Sequence, residues 1–225
     1  MQKVKVWDGF VRFYHWCQLV LLVALWWSIE QGFSDLHIGL GMVLSVLLVT
    51  RLVWGFVGSH SARFANFVGG PQSAFKEIRA EFKRQPKAHL GHSILGGYMA
   101  ISLMLLIGVQ LITGWFNSDD ILSDGPLYSL VSEATSEQMS RIHEINFELL
   151  LGLSALHVFS ILVFSIQKRG YFSAMLSGYK LCMSYQSEQM QVADTKRIFL
   201  LFVIFLSTVI FYFWPYFELA LDTFS

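Results

Sequence analysis

Long apolar stretches alternate with short polar segments along the 225 residues of the chain. A helix needs about 20 predominantly apolar residues to cross a bilayer, and five stretches have that length. Lipid offers no hydrogen-bond partner to a free backbone N–H or C=O group, so each stretch is predicted to be helical. The predicted spans are Phe10–Ile29, Leu36–Val57, Ile94–Phe116, Ile145–Ile166 and Arg197–Phe217. The pattern therefore predicts an all-α integral membrane protein.

The composition supports this fold class. Hydrophobic residues make up 54% of the chain and charged residues only 14%, whereas about a quarter of the residues in soluble domains are charged. An ordinary soluble domain is therefore excluded. The first span ends in Trp26, Trp27, Ser28 and Glu30 rather than in a small-residue cleavage site. We expect it to be retained as a helix and not removed as a signal peptide.

Basic residues predict the orientation of the spans, because Lys and Arg concentrate in the short cytoplasmic loops of membrane proteins. With the N-terminus inside, fifteen basic residues lie in inner segments or at inner helix ends, and Arg141 alone lies outside. The fifteen are Lys3, Lys5, Arg12, Arg51, Arg63, Lys76, Arg79, Lys83, Arg84, Lys87, Lys168, Arg169, Lys180, Lys196 and Arg197. The sequence predicts a cytoplasmic N-terminus and, after five spans, a C-terminus on the opposite side.

The outer segments are correspondingly acidic. Their carboxylates, opposed only by Arg141, are Glu30, Asp35, Asp119, Asp120, Asp124, Glu133, Glu137, Glu144, Glu218 and Asp222. Two interpretations stay open, namely simple solvation of the surface and docking of a basic partner. The inner connection at 58–91 is different, since it contains a possible amphipathic helix at Ala74–Arg84 whose basic residues suit an anionic inner leaflet.

Four histidines lie in the apolar helical stretches, and their depths match in pairs. His15 and His157 are predicted near the inner surface, and His37 and His143 near the outer surface. Ionisable side chains inside membrane spans are costly and are usually functional. Two imidazoles that face each other at one depth can hold an iron from both sides. The pattern therefore indicates two haem irons and an electron path through the membrane.

The spacing along the helices agrees with two stacked sites. His143 and His157 are fourteen residues apart, which is about 21 Å along a helix and within ~40° of the same face. Arg51 lies fourteen residues after His37, so it reaches the inner level, where a haem propionate is a suitable partner. Gly41, one turn from His37, lets a flat macrocycle approach the backbone, although glycine also serves close helix packing.

Other polar residues suggest supporting roles. His92, just before the third span, is predicted to contact a haem edge, and Glu144 to accept a hydrogen bond from the ring of His143. Glu148 is a costly carboxylate one turn deeper, for which a proton relay to a quinone and capping of the outer loop are both open. Structural zinc prefers four clustered ligands, and histidine pairs about 21 Å apart cannot converge on one ion. No C-x-x-C-H motif indicates covalent haem attachment.

The order of several short motifs resembles the bacterial cytochrome b561 family, which includes the di-haem cytochrome subunit of membrane-bound nickel–iron hydrogenases. The resemblance spans roughly residues 5–180 and runs through the first four helices. The motifs are Val6-Trp7-Asp8 with Arg12 and His15-Trp16, His37-x-x-x-Gly41, Arg51-Leu52-x-Trp54-Gly55-x-Val57-Gly58, Ala62-Arg63-Phe64 with Pro71, Gly91-His92 with Gly96-Gly97, Asp119-Asp120-x-x-x-x-Gly125-Pro126, and His143-Glu144-x-Asn146 with His157.

The resemblance implies a transmembrane four-helix di-haem bundle in residues 1–180, with residues 181–225 forming a linker and a fifth transmembrane helix. It implies that two b-type haems are held by His15, His37, His143 and His157 as axial ligands. It also implies a bacterial inner-membrane location. The chain departs from its relatives at Ser93-Ile94, where they often have Asn-Pro, at Glu148, where an apolar residue is usual, and in its fifth helix.

We therefore expect a lipid-embedded di-haem cytochrome that transfers electrons between the quinone or quinol pool and a periplasmic partner such as a basic c-type cytochrome, with no nucleic-acid partner. One alternative is a superoxide:ubiquinone oxidoreductase, which the negative outer face disfavours because an anionic substrate is attracted by positive potential. Another is the membrane anchor of a hydrogenase or other dehydrogenase. The sequence leaves the direction of electron flow, the side of the quinone site and the oligomeric state open.

Overall fold

The computed structural model describes residues 2–83, 91–118, 124–182 and 191–222. Two of the predicted acidic residues, Asp119 and Asp120, lie outside the described residues, as does most of the polar segment before the last span. The helices are α1 (Gly9–Glu30), α2 (Ser34–Val57), α3 (Pro71–Phe82), α4 (Ile94–Trp115), α5 (Glu133–Ile166), α6 (Tyr171–Ser177), α7 (Lys196–Tyr212) and α8 (Trp214–Asp222). Two strands, β1 (Gln2–Lys5) and β2 (Tyr179–Cys182), form an antiparallel ribbon.

Four helices of the described chain, α1, α2, α4 and α5, are long and apolar enough to cross a membrane. They coincide with the first four predicted spans, and the prediction of an all-α membrane fold is confirmed. Within the membrane a helix satisfies its own backbone N–H and C=O groups, which is why apolar length alone located these elements so closely.

Helix α5 begins twelve residues before the predicted start of the fourth span, at Glu133 instead of Ile145. Residues 133–144 are mostly polar, so hydropathy gives no sign that they continue the helix. The side-chain oxygen of Ser132 accepts a hydrogen bond from the Thr135 N–H (3.3 Å), as an N-cap does. The helix therefore extends beyond the apolar stretch and carries His143 within its regular backbone.

The fifth predicted stretch is divided into two helices. Helix α7 ends at Tyr212, and α8 begins at Trp214, one residue before Pro215. Pro215 has no N–H to donate to a carbonyl of the preceding turn, so the hydrogen bonds of α7 cannot continue through it. The division at Phe213 follows directly from this local chemistry.

Other elements are confirmed or new. The amphipathic helix expected at Ala74–Arg84 is confirmed as α3, and Glu77 on it accepts a hydrogen bond from the Ile94 N–H at the start of α4 (2.9 Å). The β1–β2 ribbon and α6 were not predicted. They are only four to seven residues long, and the ribbon pairs residues 2–5 with residues 179–182, which no local pattern reveals.

The chain divides into two compact units, to both of which the four long helices contribute residues. The first unit comprises residues 1–13, 51–103 and 154–198, and the second comprises 14–50, 104–153 and 199–225. Buried apolar side chains of the first unit include Val6, Trp7, Phe10, Trp54 and Phe67. Those of the second include Leu44, Leu47, Ile107, Leu150 and Phe202.

A buried carboxylate starts the first helix. Asp8 is fully buried and precedes α1, and its Oδ1 accepts a hydrogen bond from the Val11 N–H (2.8 Å). Its Oδ2 accepts one from the indole Nε1 of Trp54 on α2 (3.0 Å). The first bond caps the positive end of the helix, and the second satisfies the remaining oxygen. Asp8 thus joins the N-terminus of α1 to α2 in the first unit.

Candidate functional site

Two of the predicted ligands face each other in the second unit. His37 lies near the start of α2, and His143 lies in the extended part of α5. The centres of their imidazole rings are 6.3 Å apart, and the ring planes are inclined at 71°. The predicted outer pair is therefore brought together by the fold.

This separation fits a single iron between the rings. A metal–imidazole bond is about 2.0 Å, and the ligating nitrogen lies about 1 Å from the ring centre, so two rings on opposite sides of one metal have centres roughly 6 Å apart. Packing of the two imidazole rings against each other would not explain why two costly ionisable side chains lie in membrane spans, whereas binding of an iron would. The residues present fit a bis-imidazole haem.

The backbone of α1 orients the His37 ring. Its Nδ1 lies 2.9 Å from the carbonyl oxygen of Leu25 and 3.4 Å from the hydroxyl of Ser28. Ser28, which is fully buried, donates its own proton to the same carbonyl (2.9 Å). Because a carbonyl only accepts, Nδ1 of His37 carries the proton, and the lone pair is left on Nε2.

Thr113 on α4 orients the His143 ring in the same way. The hydroxyl of Thr113 donates to the Val109 carbonyl (2.7 Å), and its oxygen lies 3.1 Å from Nδ1 of His143. It therefore accepts the proton of Nδ1, which again leaves Nε2 of His143 as the ligand nitrogen. The predicted partner, Glu144, is exposed instead. Sequence reasoning missed Thr113, because the spacing along α5 cannot reveal a neighbour on α4.

Glycines make room around the two rings. A Cβ on Gly114 would lie 3.0 Å from Cε1 of His143, so a larger residue would require the ring to shift by a few tenths of an ångström. A Cβ on Gly41, one turn after His37, would meet no atom within 4 Å. Open space on the helix face that carries His37 agrees with the prediction that a flat macrocycle passes Gly41, whose role as a cofactor contact stays a prediction.

A buried amide pair ties α4 to α5 just below His143. The side-chain nitrogen of Asn146, which is 4% exposed, donates to Oε1 of Gln110 (2.6 Å) and to the Leu106 carbonyl (2.9 Å). Hydrogen bonds between helices at this depth hold two membrane spans together. The motif His143-Glu144-x-Asn146 thus combines a predicted ligand with a structural bridge, and Gln110 is a partner that sequence reasoning did not identify.

Comparison with known proteins identifies the family. A family model described as prokaryotic cytochrome b561 matches residues 6–178. The chain belongs to the prokaryotic cytochrome b561 family. It is therefore a multi-pass membrane cytochrome of the b type, which carries electrons and binds haem b. No solved structure matches the chain at a significant level.

Similar curated proteins support the same assignment. Each of the three is described as a probable Ni/Fe-hydrogenase B-type cytochrome subunit. The protein from Rhizobium leguminosarum bv. viciae is 26% identical, with 80% of this chain and 90% of the relative covered. The one from Rhodobacter capsulatus is 21% identical, with 79% and 81% covered. The one from Bradyrhizobium diazoefficiens is 31% identical over a match that covers 35% of each chain.

Two further predicted residues of this cytochrome b561 lie in the first unit. Arg51 is 3% exposed, its Nη2 donates to the Ala62 carbonyl (3.2 Å), and its guanidinium lies 5.3 Å from the ring centre of Phe64. His92 lies between Trp7 and Phe67, with ring centres 4.7 and 4.5 Å away. Aromatic packing and the carbonyl bond hold both side chains in place, and their contact with a haem stays a prediction.

The remaining predicted ligands lie on α1 and α5. His15 belongs to the second unit, with its ring centre 5.2 Å from that of Trp16, and His157 belongs to the first. Their pairing as the inner ligands stays a prediction. Within the part of the chain that the structure describes, no three His, Cys, Asp or Glu side chains lie close enough together to bind one metal ion. A metal at these histidines would therefore have at most two such protein ligands.

Proposed function

We propose that this cytochrome carries electrons between the quinone pool and a periplasmic redox partner by way of two haems b. His37 and His143 hold the outer haem, and His15 and His157 hold the inner one. The observation that supports this most strongly is the 6.3 Å separation of the His37 and His143 ring centres, with both Nδ1 atoms directed to hydrogen-bond acceptors. When bound, each haem supplies an iron that alternates between its ferrous and ferric states.

The surrounding residues keep each ligand ready. The Leu25 carbonyl and the Thr113 hydroxyl accept the Nδ1 protons of His37 and His143. Each Nε2 therefore keeps its lone pair, and binding of the iron requires no loss of a proton. Arg51 and His92 supply polar hydrogen-bond donors suited to the propionates of the inner haem. Apolar helix surfaces exclude water, which lets the few polar contacts exert a large effect on the reduction potential.

The proposed topology has a cytoplasmic N-terminus and a periplasmic C-terminus in the bacterial inner membrane. Fifteen of the sixteen basic residues lie on the inner side in this orientation. It places His37 and His143 near the periplasm, where a soluble or membrane-bound partner exchanges electrons. His15 and His157 then lie near the cytoplasmic surface. Quinone access from either side is compatible with this arrangement.

Replacement of His157 by alanine tests the inner ligand pair. We expect the purified variant to lose the inner haem and to retain the outer one, so that haem falls from two per chain to one, because a single imidazole no longer holds the iron from both sides. The pyridine haemochrome assay measures this ratio. Ser160→Ala, three residues further along α5, is the matched control and should keep both haems. Two haems per chain in the His157 variant would reject the assignment.

The outer face is proposed to bind a basic redox partner such as a c-type cytochrome. Among the described acidic residues that are predicted to lie on the outer side, Glu30, Asp124, Glu133, Glu137, Glu144 and Glu218 are exposed. A negative surface steers a positive partner and accelerates its association. The hydrogenase cytochrome subunits among the relatives favour a second candidate, in which the partner is a hydrogenase subunit and this chain is its membrane anchor.

The salt dependence of partner binding tests the acidic face. We expect the affinity for a basic c-type cytochrome to fall as ionic strength rises from about 0.01 M to 0.15 M, because the screening length shortens from about 30 Å to 8 Å. Surface plasmon resonance on the nanodisc-embedded cytochrome measures the affinity. An affinity that does not change with salt would argue against electrostatic docking, and an acidic cytochrome of similar size serves as the control partner.

A further inference from the structure

The β1–β2 ribbon presents a basic and apolar face to the exterior. Lys3 is paired with Leu181, and Lys5 with Tyr179. Directly opposed side chains of an antiparallel pair point to the same face, and all four are exposed. Val4, between the two lysines, is 8% exposed. Burial of Val4 therefore fixes the lysines on the outer face of the ribbon.

Charge on this part of the chain is of one sign. Residues 2–7 and 167–182 contain no aspartate or glutamate. They contain five basic residues, Lys3, Lys5, Lys168, Arg169 and Lys180. Lys3 and Lys180 lie over aromatic rings, 5.1 Å from the ring centre of Tyr179 and 4.0 Å from that of Tyr171. Because these two segments contain no acidic side chain that could balance their positive charge, an anion from elsewhere is the natural partner.

The position in the chain brings this charge to the membrane surface. Helix α5, a membrane-spanning helix, ends at Ile166, and α6 begins five residues later. Phe172 and Leu176, which are 48% and 49% exposed, are one turn apart on α6 and share a face. The contact between Lys180 on β2 and Tyr171 on α6 joins α6 to the ribbon. Exposed aromatic and leucine side chains beside lysines are typical of segments that lie in the lipid interface.

We propose that the outer face of the ribbon, formed by Lys3, Lys5, Tyr179 and Leu181 next to α6, binds the headgroups of anionic phospholipids. The lysines contact lipid phosphates, and the apolar side chains enter the boundary between headgroups and acyl chains. An acidic soluble protein would match the charge but would gain little from the exposed Phe172 and Leu176 at the end of a span. Assignment of these lipids to the cytoplasmic leaflet rests on the proposed topology, whereas the binding itself does not.

The test uses the full-length haem-loaded protein in a neutral detergent. Phosphatidylglycerol and phosphatidylcholine are added separately, and the unfolding temperature is followed by the haem absorbance, while native mass spectrometry counts bound lipids. We expect phosphatidylglycerol to raise the unfolding temperature more than phosphatidylcholine does. The double variant Lys3→Gln, Lys5→Gln should lose at least about half of this difference, as expected for removal of direct charge contacts.

A variant of equal charge change separates the ribbon from overall charge. Arg141→Glu, at an exposed position of α5 in the second unit, changes the charge by the same amount and should preserve most of the difference between the two lipids. The proposal is overturned if the ribbon variant responds to phosphatidylglycerol like the unaltered protein. It is equally overturned if the Arg141 variant loses as much as the ribbon variant. Failure of either kind leaves the haem ligands and electron transfer unaffected, so it is distinguishable from failure of the proposed function.

Discussion

Replacement of His143 by alanine is expected to remove the outer haem and to leave one haem per chain. The ring of His143 lies opposite that of His37 at 6.3 Å between centres, and no third His, Cys, Asp or Glu side chain clusters with them among the described residues. Loss of one imidazole therefore leaves a single ligand, which is insufficient for a stable six-coordinate site. The pyridine haemochrome assay measures the haem content, and the reduced absorption spectrum shows whether the remaining haem is intact.

Because the two rings are proposed to hold one iron, the effects of replacing them should not add. His37→Ala, His143→Ala and the double variant are each expected to retain one haem per chain, the one held by His15 and His157. Glu144→Ala, at the neighbouring exposed position, is the matched control and should retain both. A double variant that loses more haem than either single variant would show that the two histidines serve different sites and would contradict the outer pair.

Replacement of Asp8 by alanine is expected to destabilise the protein by roughly 2–4 kcal/mol. The loss of the helix N-cap costs about 1 kcal/mol, and the indole N–H of Trp54, buried and left without its acceptor, costs about 1–3 kcal/mol. Both bonds are present in the structure, at 2.8 Å and 3.0 Å. Thermal or denaturant unfolding in detergent, followed by circular dichroism, measures the change.

A double-mutant cycle separates the two contributions of Asp8. Trp54→Phe removes the indole donor and keeps an aromatic ring, so Asp8→Ala in that background should cost only about 1 kcal/mol, the value of the cap. Asp8→Asn keeps a single side-chain oxygen acceptor and is expected to fall between aspartate and alanine. If Asp8→Ala lowers the free energy of unfolding by the same amount in the unaltered protein and in the Trp54→Phe variant, the hydrogen bond between Asp8 and Trp54 contributes nothing to stability.

The sequence predicted the positions of the helices more completely than the contacts of the candidate site. The positions of α1, α2, α4 and the apolar part of α5 were predicted closely, because apolar length in a membrane depends on composition alone. The start of α5 at Glu133 was not predicted, and α7 and α8 were predicted as one helix. Both boundaries depend on Ser132 and Pro215 rather than on hydropathy. His37 and His143 were paired from their predicted depth, and their rings lie next to each other in the structure. Their hydrogen-bond partners were not predicted, and Glu144 was expected where Thr113 lies.

The sequence by itself predicted the four long apolar helices and the proximity of His37 to His143, because both follow from composition and from distances along single helices. The partners of the ring nitrogens at Leu25 and Thr113, the inclination of 71° between the rings, and the bridge from Asn146 to Gln110 were decided only by the tertiary structure. The same holds for the ribbon that joins Lys3 to Leu181. These features depend on how neighbouring helices and chain ends pack, at ångström precision, and helical periodicity specifies a direction but not the residue that lies across the gap.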